Sequence, residues 1–231
     1  MYKAVISDLD GTLLSRGHHV TKFTKNVIKE IIKKGVNFYI ASGRSYDQIG
    51  YVTEQLEVKI PIIAANGARI FDEDGNMIYE KGLSSKSAKA ILGLDYENIA
   101  EGSHLNIFSG NDWIITKGTA QKVYDRISRD VKVDFKELPK NELENLDILK
   151  IFYIGDHEQL INLEKAILKI TDDVNVIFVS DYCMEVMAKG ANKGAAAKFL
   201  LEREGLELKD AVAFGDGEND FEMLTMVGKG Y

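Results

Sequence analysis

The sequence contains a single cysteine, Cys183, so the chain cannot form an intramolecular disulfide. Such sparing use of cysteine is typical of proteins in a reducing compartment, and we expect a cytoplasmic location. No apolar run reaches about 18 residues, so no segment is predicted to span a membrane. Residues 1–4 lead directly into a predicted strand and lack the apolar stretch of a secretory signal peptide.

Positive charge is scarce relative to negative charge. The 231 residues include 29 Lys and Arg against 36 Asp and Glu, which gives a formal charge of -7 and a pI near 5.2. No dense basic stripe is present, and this balance argues against a nucleic-acid partner. A few well-placed cations would still suffice for a local anion site. The hydrophobic share of 45% describes a globular protein of one large domain or two modest ones.

Apolar periodicity predicts that strands and helices alternate at the start of the chain. Predicted strands occupy residues 2–7, 36–41 and 60–65, and predicted helices occupy residues 21–34 and 46–56. On the first helix, five apolar side chains are expected to share the packing face: Phe23, Val27, Ile28, Ile31 and Ile32. Polar turns follow each strand, so the pattern is typical of the α/β class with a doubly wound, Rossmann-like parallel sheet.

The pattern then changes to short hairpins mixed with helices. Predicted hairpins pair residues 69–71 with 77–80, 105–109 with 113–116, and 174–179 with 182–188. A strand is predicted at 148–154, and helices at about 84–97, 119–129 and 158–170. The first style returns with a helix at 193–204, a strand at 211–214 and a helix from 221 to 226. We interpret residues 83–187 as an inserted α+β domain, and residues 1–82 with 188–231 as one discontinuous core domain.

Side chains that can carry chemistry follow the predicted strands of the core domain or begin its helices. Asp8 and Asp10 follow the first strand, and two carboxylates this close are most readily kept ionised by a cation. The others are Ser42 after the second strand, Lys193 at a helix start, and Asp216 with Asn219 and Asp220 after the last strand. The carboxyl ends of parallel strands share one edge of a sheet, so these groups are expected to converge.

Each of these residues also has a simpler interpretation. Taken alone, the Asp8 segment is equally consistent with an ordinary turn, Ser42 with a helix cap and Lys193 with a solvated lysine. An EF-hand is excluded because the twelfth position from Asp8 is His19 rather than Glu. His18 and His19 are expected to be solvated loop residues. It is the occurrence of all the motifs, in order, that argues for a common site.

Taken together, four segments resemble the motifs of the haloacid dehalogenase (HAD) superfamily. They are Asp8-Leu9-Asp10-Gly11-Thr12, the strand end at Ser42, Lys193, and Gly215-Asp216-Gly217-Glu218-Asn219-Asp220. Other segments are similar to its Cof-type, sugar-phosphatase-like branch: Ala41-Ser42-Gly43-Arg44, Ala65-Asn66-Gly67-Ala68, and Glu185-Val186-Met187 followed by Gly190-Ala191-Asn192-Lys193-Gly194. The resemblance covers essentially the whole chain. It implies an HAD core with a C2-type cap domain, which would exclude water and select the leaving group.

The resemblance further implies a Mg²⁺-dependent phosphatase that acts on a small phosphate monoester through an aspartyl-phosphate. Asp8 would be the nucleophile and Asp10 the general acid and base. Mg²⁺ would bind Asp8, Asp216 and the backbone carbonyl of Asp10, and Lys193 would bind the phosphate as a point cation. The remaining implied roles are substrate contacts by Ser42, Gly43, Arg44, Asn66 and Asn219, and support of Lys193 and of the metal's water shell by Asn219 and Asp220.

Two alternatives stay open from the sequence. A phosphomutase would return the phosphoryl group to the substrate instead of passing it to water. A non-catalytic, phosphate-ligand-binding or regulatory protein would fit the end of the chain at residue 231, where similar sequences continue with another strand and further helices. That difference predicts an exposed sheet edge in the core domain. In each case the expected partner is a small phosphate ester, and no membrane partner is expected.

Overall fold

The computed structural model describes residues 1–119 and 135–231, which divide into two compact units. One unit comprises Met1–Glu80 together with Ala191–Tyr231, and the other comprises Lys81–Gly190. The first unit is therefore discontinuous in sequence, and the second is inserted into it. Among the described residues, every helix falls short of the length and apolar content that crossing a membrane would require.

Strands and helices of the described residues are numbered here in chain order. The strands are β1 (Ala4–Ser7), β2 (Asn37–Ala41), β3 (Ile62–Ala64), β4 (Arg69–Phe71), β5 (Met77–Glu80), β6 (His104–Ser109), β7 (Asp112–Thr116), β8 (Phe135–Leu138), β9 (Ile148–Ile154), β10 (Val174–Ser180), β11 (Cys183–Ala188), β12 (Ala211–Phe214) and β13 (Lys229–Gly230). The helices are α1 (Lys22–Lys33), α2 (Tyr46–Leu56), α3 (Ser85–Leu92), α4 (Tyr96–Ile99), α5 (His157–Ile170), α6 (Lys193–Arg203) and α7 (Phe221–Met226).

A seven-stranded sheet organises the discontinuous unit, in the order β13-β12-β1-β2-β3-β4-β5. The strands from β13 to β3 run parallel to their neighbours, and β4 and β5 add an antiparallel edge. This is the α/β, doubly wound fold that the sequence predicts. Because β1 lies between β12 and β2 and is parallel to both, the carboxyl ends of these three strands lie at the same edge of the sheet.

Successive residues of the central strands pack on opposite faces of that sheet, as the pleat requires. In β2, Phe38 and Ile40 belong to one apolar cluster, whereas Tyr39 and Ala41 belong to the other. The first cluster also contains side chains of α1 and α2, and the second contains side chains of α6 and α7. Helices thus pack on both faces, which explains why these strands are nearly continuous apolar runs in the sequence.

Helix α1 packs with fewer of its apolar residues than its periodicity predicts. Ile28 is buried and Ile31 and Ile32 are half-buried, whereas Phe23 and Val27 are 77% and 42% exposed. The expectation that all five share the packing face is therefore wrong for Phe23 and Val27. An α-helix turns about 100° per residue, so these two side chains point about 140° and 100° away from Ile28, outside the buried stripe.

The inserted unit has its own six-stranded sheet, in the order β10-β11-β9-β6-β7-β8. Its pairings are antiparallel except for that of β7 with β8, which is parallel. Apolar side chains of α3, α4 and α5 form one core with β6, β7, β9 and β11. The described part of this unit therefore combines hairpins and helices in the α+β manner expected from the sequence.

In the inserted unit the structure differs from the sequence prediction at two places and leaves a third place untested. The helix expected over residues 84–97 is two helices, because α3 ends before Gly93 and α4 begins only at Tyr96. Glycine favours a helix end at this position. No strand is predicted for β8, because its central residues, Lys136 and Glu137, are charged and leave a weak apolar pattern. The helix expected over residues 119–129 lies almost wholly outside the described residues.

An ion-pair cluster joins α1 to the end of α2. Glu57, just beyond α2, accepts hydrogen bonds from Lys25 and Lys29 of α1 at 2.5 and 2.7 Å. These contacts lower the pKa of Glu57 to about 2. A carboxyl group whose pKa is lowered by folding contributes stability above its ordinary pKa, and that contribution is lost as the pH falls toward the lowered value.

We therefore expect Glu57→Gln to reduce the free energy of unfolding slightly at pH 7. The reduction should disappear as the pH falls from about 4.5, the ordinary pKa, to about 2. The reduction should also become smaller in high salt, because the Glu57 side chain is exposed to solvent. Urea unfolding at a series of pH values measures the difference, and Glu54→Gln in the last turn of α2 is the control. A difference that does not change with pH would contradict the assignment.

Candidate active site

A tight turn after β1 carries the first motif. Ser7 ends the strand, and within the turn Leu9–Leu13 the residue Gly11 has a φ of +83°, a conformation that side chains of L-residues rarely allow. A Cβ atom at position 11 would also overlap the carboxylate of Asp216. The glycine therefore lets this turn lie against the last motif. Thr12 Oγ1 donates a hydrogen bond to Asp216 Oδ1 across this contact at 3.1 Å.

Lys193 is completely buried in the first turn of α6. Asn192 caps this helix by accepting a hydrogen bond from the Ala195 N–H at 2.7 Å, which places Lys193 at the first helical position. The ammonium group of Lys193 donates to Asp8 Oδ1 at 2.6 Å and to Asp220 Oδ1 at 2.7 Å. Motifs that lie far apart in the sequence therefore meet at one buried cation.

Asp220 organises the loop that bears the last motif. It is 1% exposed, and its Oδ2 accepts hydrogen bonds from the backbone N–H groups of Asp216 and Gly217 at 3.1 and 3.0 Å. Its Oδ1 accepts from Lys193. A Cβ atom at Gly215 would come within 2.5 Å of Asp220 Cγ, so only glycine lets the loop turn around this carboxylate. Asp220 thus holds both the loop and the buried lysine.

Three carboxylates at this edge lie close enough together to share a metal ion. Asp8, Asp216 and Asp220 each offer one oxygen, and these oxygens lie within 4.8 Å of one another. Lys193 offsets only one of the three negative charges that full ionisation would create. Burial raises the pKa of Asp8, opposed by Lys193 and reinforced by Asp220. A divalent cation with a preference for carboxylate oxygen would relieve this repulsion, so the donor set fits Mg²⁺.

Asp10 makes its contacts with the second motif. Arg44, which follows β2, donates from Nε to Asp10 Oδ2 at 2.8 Å and from Nη2 to Asp10 Oδ1 at 2.6 Å, forming a bidentate ion pair. The sequence assigned Arg44 to the substrate, and the structure brings its guanidinium group to Asp10. His18 is 74% exposed, as expected of a solvated residue, but its Nδ1 lies 3.8 Å from Asp10 Oδ1.

Hydrogen bonds join the second motif, the turn after β3 and the last motif. Ser42 is 1% exposed; its Oγ accepts from the Arg44 N–H at 3.2 Å and its carbonyl accepts from the Asn66 N–H at 3.0 Å. A Cβ atom at Gly43 would lie 3.0 Å from Asn66 Oδ1, which accepts from Asn219 Nδ2 at 2.9 Å. These four predicted residues, Ser42, Gly43, Asn66 and Asn219, therefore lie together. Asn219 supports Asn66, a contact that the sequence did not predict.

Two side chains of the site were not identified from the sequence. Thr12 belongs to the first motif but has no role assigned from the sequence, and its hydroxyl group donates a hydrogen bond to Asp216. Tyr51, on α2, accepts a hydrogen bond at Oη from Arg44 Nη1 at 3.0 Å. Arg44 lies in the turn that precedes α2, so helical spacing does not relate it to Tyr51. The sequence therefore carries no periodic signal for this contact.

Comparison with known proteins places this chain in a family. The family described as haloacid dehalogenase-like hydrolase matches residues 5–231. A protein of Buchnera aphidicola subsp. Baizongia pistaciae with a provisional phosphatase name is 35% identical over 238 residues, which cover 100% of this chain and 85% of that protein. The HMP-PP phosphatase of Escherichia coli (strain K12) is 28% identical over 236 residues, which cover 100% of this chain and 84% of that protein.

Solved structures share the fold. A haloacid dehalogenase-like hydrolase from B. subtilis has a TM-score of 0.83 to this chain at 23% identity, over 99% of this chain and 88% of that one. A sugar phosphatase of HAD subclass IIB also has a TM-score of 0.83, at 22% identity, over 99% of this chain and 86% of that one. At these identities the likeness concerns the fold alone. With the family match and the shared sequence, the chain belongs to the haloacid dehalogenase-like hydrolases.

Proposed function

We propose that this chain is a Mg²⁺-dependent phosphatase that hydrolyses small phosphate monoesters through an aspartyl-phosphate at Asp8. The observation that carries the proposal is the placement of Asp8, which contacts the buried Lys193 and lies in a cluster with Asp216 and Asp220. A phosphate monoester is an anion, so an anionic nucleophile needs nearby cations to offset the repulsion. Lys193 supplies one positive charge, and the cluster of Asp8, Asp216 and Asp220 is suited to bind a divalent cation.

The first step is the transfer of the phosphoryl group to the chain. Asp8 attacks phosphorus and forms a bond to it through a carboxylate oxygen, while the bond between phosphorus and the ester oxygen breaks. Lys193 keeps Asp8 oriented and offsets charge on the transferred group. Ser42 and neighbouring backbone N–H groups such as that of Gly43 donate hydrogen bonds to the phosphoryl oxygens.

Asp10 is assigned the proton transfers. In the first step Asp10 enters in its protonated form and gives that proton to the departing alkoxide, and the carboxylate that remains is the form paired with Arg44. In the second step it accepts a proton from the water that attacks phosphorus, and the bond to Asp8 breaks to release inorganic phosphate. Asp10 lies on the same turn as Asp8, and Arg44 holds its carboxylate through two hydrogen bonds.

Mg²⁺ would be held by the side chains of Asp8 and Asp216 and by the backbone carbonyl of Asp10. Thr12 orients the Asp216 carboxylate toward this turn. Asp220 has a supporting role, because its two oxygens already accept hydrogen bonds from Lys193 and from the loop backbone. When bound, the ion neutralises charge on the nucleophile and the phosphate.

Sugar phosphates and small cofactor phosphates are the substrates that we propose. One relative is named an HMP-PP phosphatase, and one protein of the same fold is named a sugar phosphatase. We expect release of inorganic phosphate from at least one ester in a panel of HMP-PP, hexose phosphates and cofactor phosphates. Release should stop when EDTA removes divalent metal and return when excess Mg²⁺ is added.

The same panel separates the alternatives. If no ester releases phosphate in a metal-dependent manner, the phosphatase proposal is wrong. If an isomerised sugar phosphate forms in place of inorganic phosphate, the chain is a mutase. EDTA removes every divalent cation, so loss of activity alone does not identify the ion that is required. Restoration is therefore tested either with Mg²⁺ or with Ca²⁺, which prefers a larger and more flexible shell of oxygen ligands. We expect Mg²⁺ alone to restore full activity.

A further inference from the structure

Every terminal nitrogen of the Arg44 guanidinium group, together with Nε, has a defined acceptor. Nε and Nη2 donate to the two oxygens of Asp10, and Nη1 donates to Tyr51 Oη at 3.0 Å. The guanidinium carbon lies 5.8 Å from the centre of the Tyr51 ring. The three side chains thus form a chain of contacts from α2, through the turn after β2, to the turn after β1.

Asp10 needs such support because its side chain is 44% exposed. An exposed carboxylate is free to rotate, and a proton donor must be aligned with the leaving oxygen to be effective. Arg44 supplies a planar, bidentate partner, but it is itself a long side chain with several rotatable bonds. His18 contributes little, since its ring is 74% exposed and lies 3.8 Å from Asp10.

Tyr51 is suited to hold the arginine in place. It lies in the middle of α2 and packs against the apolar cluster that also contains Ile49, Val52 and Leu56 of that helix. A tyrosine has few rotatable bonds, so its hydroxyl group is a more fixed point than the end of an arginine. The contact with Nη1 fixes the rotation of the guanidinium plane, and this plane sets the direction of the Asp10 carboxylate.

We propose that Tyr51 is a positioning residue that acts through Arg44 to align Asp10 for proton transfer to the leaving group. The inference rests on the proposed function, since it concerns the proton step of phosphate-ester cleavage. It predicts a loss that depends on the leaving group. An alkoxide needs a proton in order to leave, whereas a nitrophenolate is stable as an anion and leaves without one.

The test is Tyr51→Phe, which keeps the ring and its packing and removes only the hydroxyl group. We expect kcat/KM for the best hexose phosphate of the panel to fall about tenfold, the effect of one lost hydrogen bond to a charged group. For p-nitrophenyl phosphate, kcat/KM should change less than about twofold. The value of kcat/KM reports the steps up to release of the leaving group, because that release precedes the attack by water. Tyr46→Phe, at the start of the same helix and stacked on Phe71, is the matched control and should change neither.

A double-mutant cycle shows whether Tyr51 acts through Arg44. Arg44→Lys removes the bidentate pair, so adding Tyr51→Phe to it should cause little further loss on the hexose phosphate. Equal losses on both esters, an increase in rate, or additive effects in the double variant would each overturn the proposal while leaving the phosphatase activity established. An inactive native protein would instead refute the proposed function, and the positioning role with it.

Discussion

Asp8→Asn is expected to lower kcat for every accepted ester by about 10⁴–10⁶-fold, the range found when single members of a catalytic triad are removed. An amide oxygen cannot form the aspartyl-phosphate, and the metal loses a charged ligand at the same position. Phosphate release in the presence of Mg²⁺ measures the effect. The conservative size of the substitution keeps the contact with Lys193 sterically unchanged.

The same variant should fold at least as stably as the native protein. Burial raises the pKa of Asp8, so the group contributes stability below its ordinary pKa and loses that contribution as the pH rises through the raised pKa. Above the raised pKa and without metal, ionisation of this buried group therefore costs free energy of folding, a cost that asparagine lacks. Urea unfolding should give an equal or larger free energy of unfolding for Asp8→Asn at pH 7, and a smaller advantage as the pH is lowered.

Asp74→Asn provides the matched control for this variant. Asp74 lies in an exposed turn and pairs with Lys59 on the surface, so its replacement should change both activity and stability little. If Asp8→Asn retained more than about a hundredth of the native kcat, Asp8 would not be the nucleophile. A loss of activity that simply followed a loss of folded protein would equally contradict the assignment.

Lys193→Met should lower both stability and activity, and the loss of stability should be large. The substitution leaves Asp8 and Asp220 buried without the cation between them, and breaking a buried ion pair on one side costs about 3–5 kcal/mol. Activity should fall about 10²–10³-fold, because the transferred phosphoryl group also loses a preorganised positive charge. Urea unfolding and phosphate release measure the two effects.

Mg²⁺ distinguishes an electrostatic loss from a packing loss in this variant. An ion that binds the unpaired carboxylates of the folded state should recover part of the stability.

The control is Lys198→Met on the same helix, where the lysine is exposed and pairs weakly with Glu202 at 3.6 Å, so a loss of less than about 1 kcal/mol is expected. If Lys193→Met does not fold, the double variant with Asp220→Asn removes one unpaired charge and should regain stability but not activity. Equal effects at Lys193 and Lys198 would contradict the account.

The convergence of the candidate residues could be predicted because they follow buried strands at one edge of a parallel sheet or begin a helix there. The apolar runs of β1, β2 and β12 are evident in the sequence, and each is followed at once by polar residues. Parallel strands then require Asp8, Ser42 and Asp216 to lie at one edge. Lys193 was predicted from its place at the start of an alanine-rich helix, which the Asn192 cap fixes in the structure.

The direction of each side chain could not be predicted in the same way. The guanidinium group of Arg44 can bind either a carboxylate or a phosphate through two hydrogen bonds. The sequence therefore does not decide between a substrate phosphate and the Asp10 carboxylate, which Arg44 contacts in the structure. Tyr51 was missed because an apolar pattern treats it as an ordinary residue of an amphipathic helix. Phe23 and Val27 show the opposite error, because their apolar character predicts that they pack against the core whereas both are exposed. Apolar residues beside a buried stripe can remain exposed to solvent.

The most direct test of the central claim is to trap the phosphoryl group on Asp8. Asp10→Asn should slow attack by water on the aspartyl-phosphate, and p-nitrophenyl phosphate should still react because its leaving group needs no proton. We predict one equivalent of nitrophenolate in a burst, and conversion of residue 8 to homoserine when the quenched protein is reduced with borohydride. A phosphoryl group on another residue, or nitrophenolate release without any trapped group, would contradict the account.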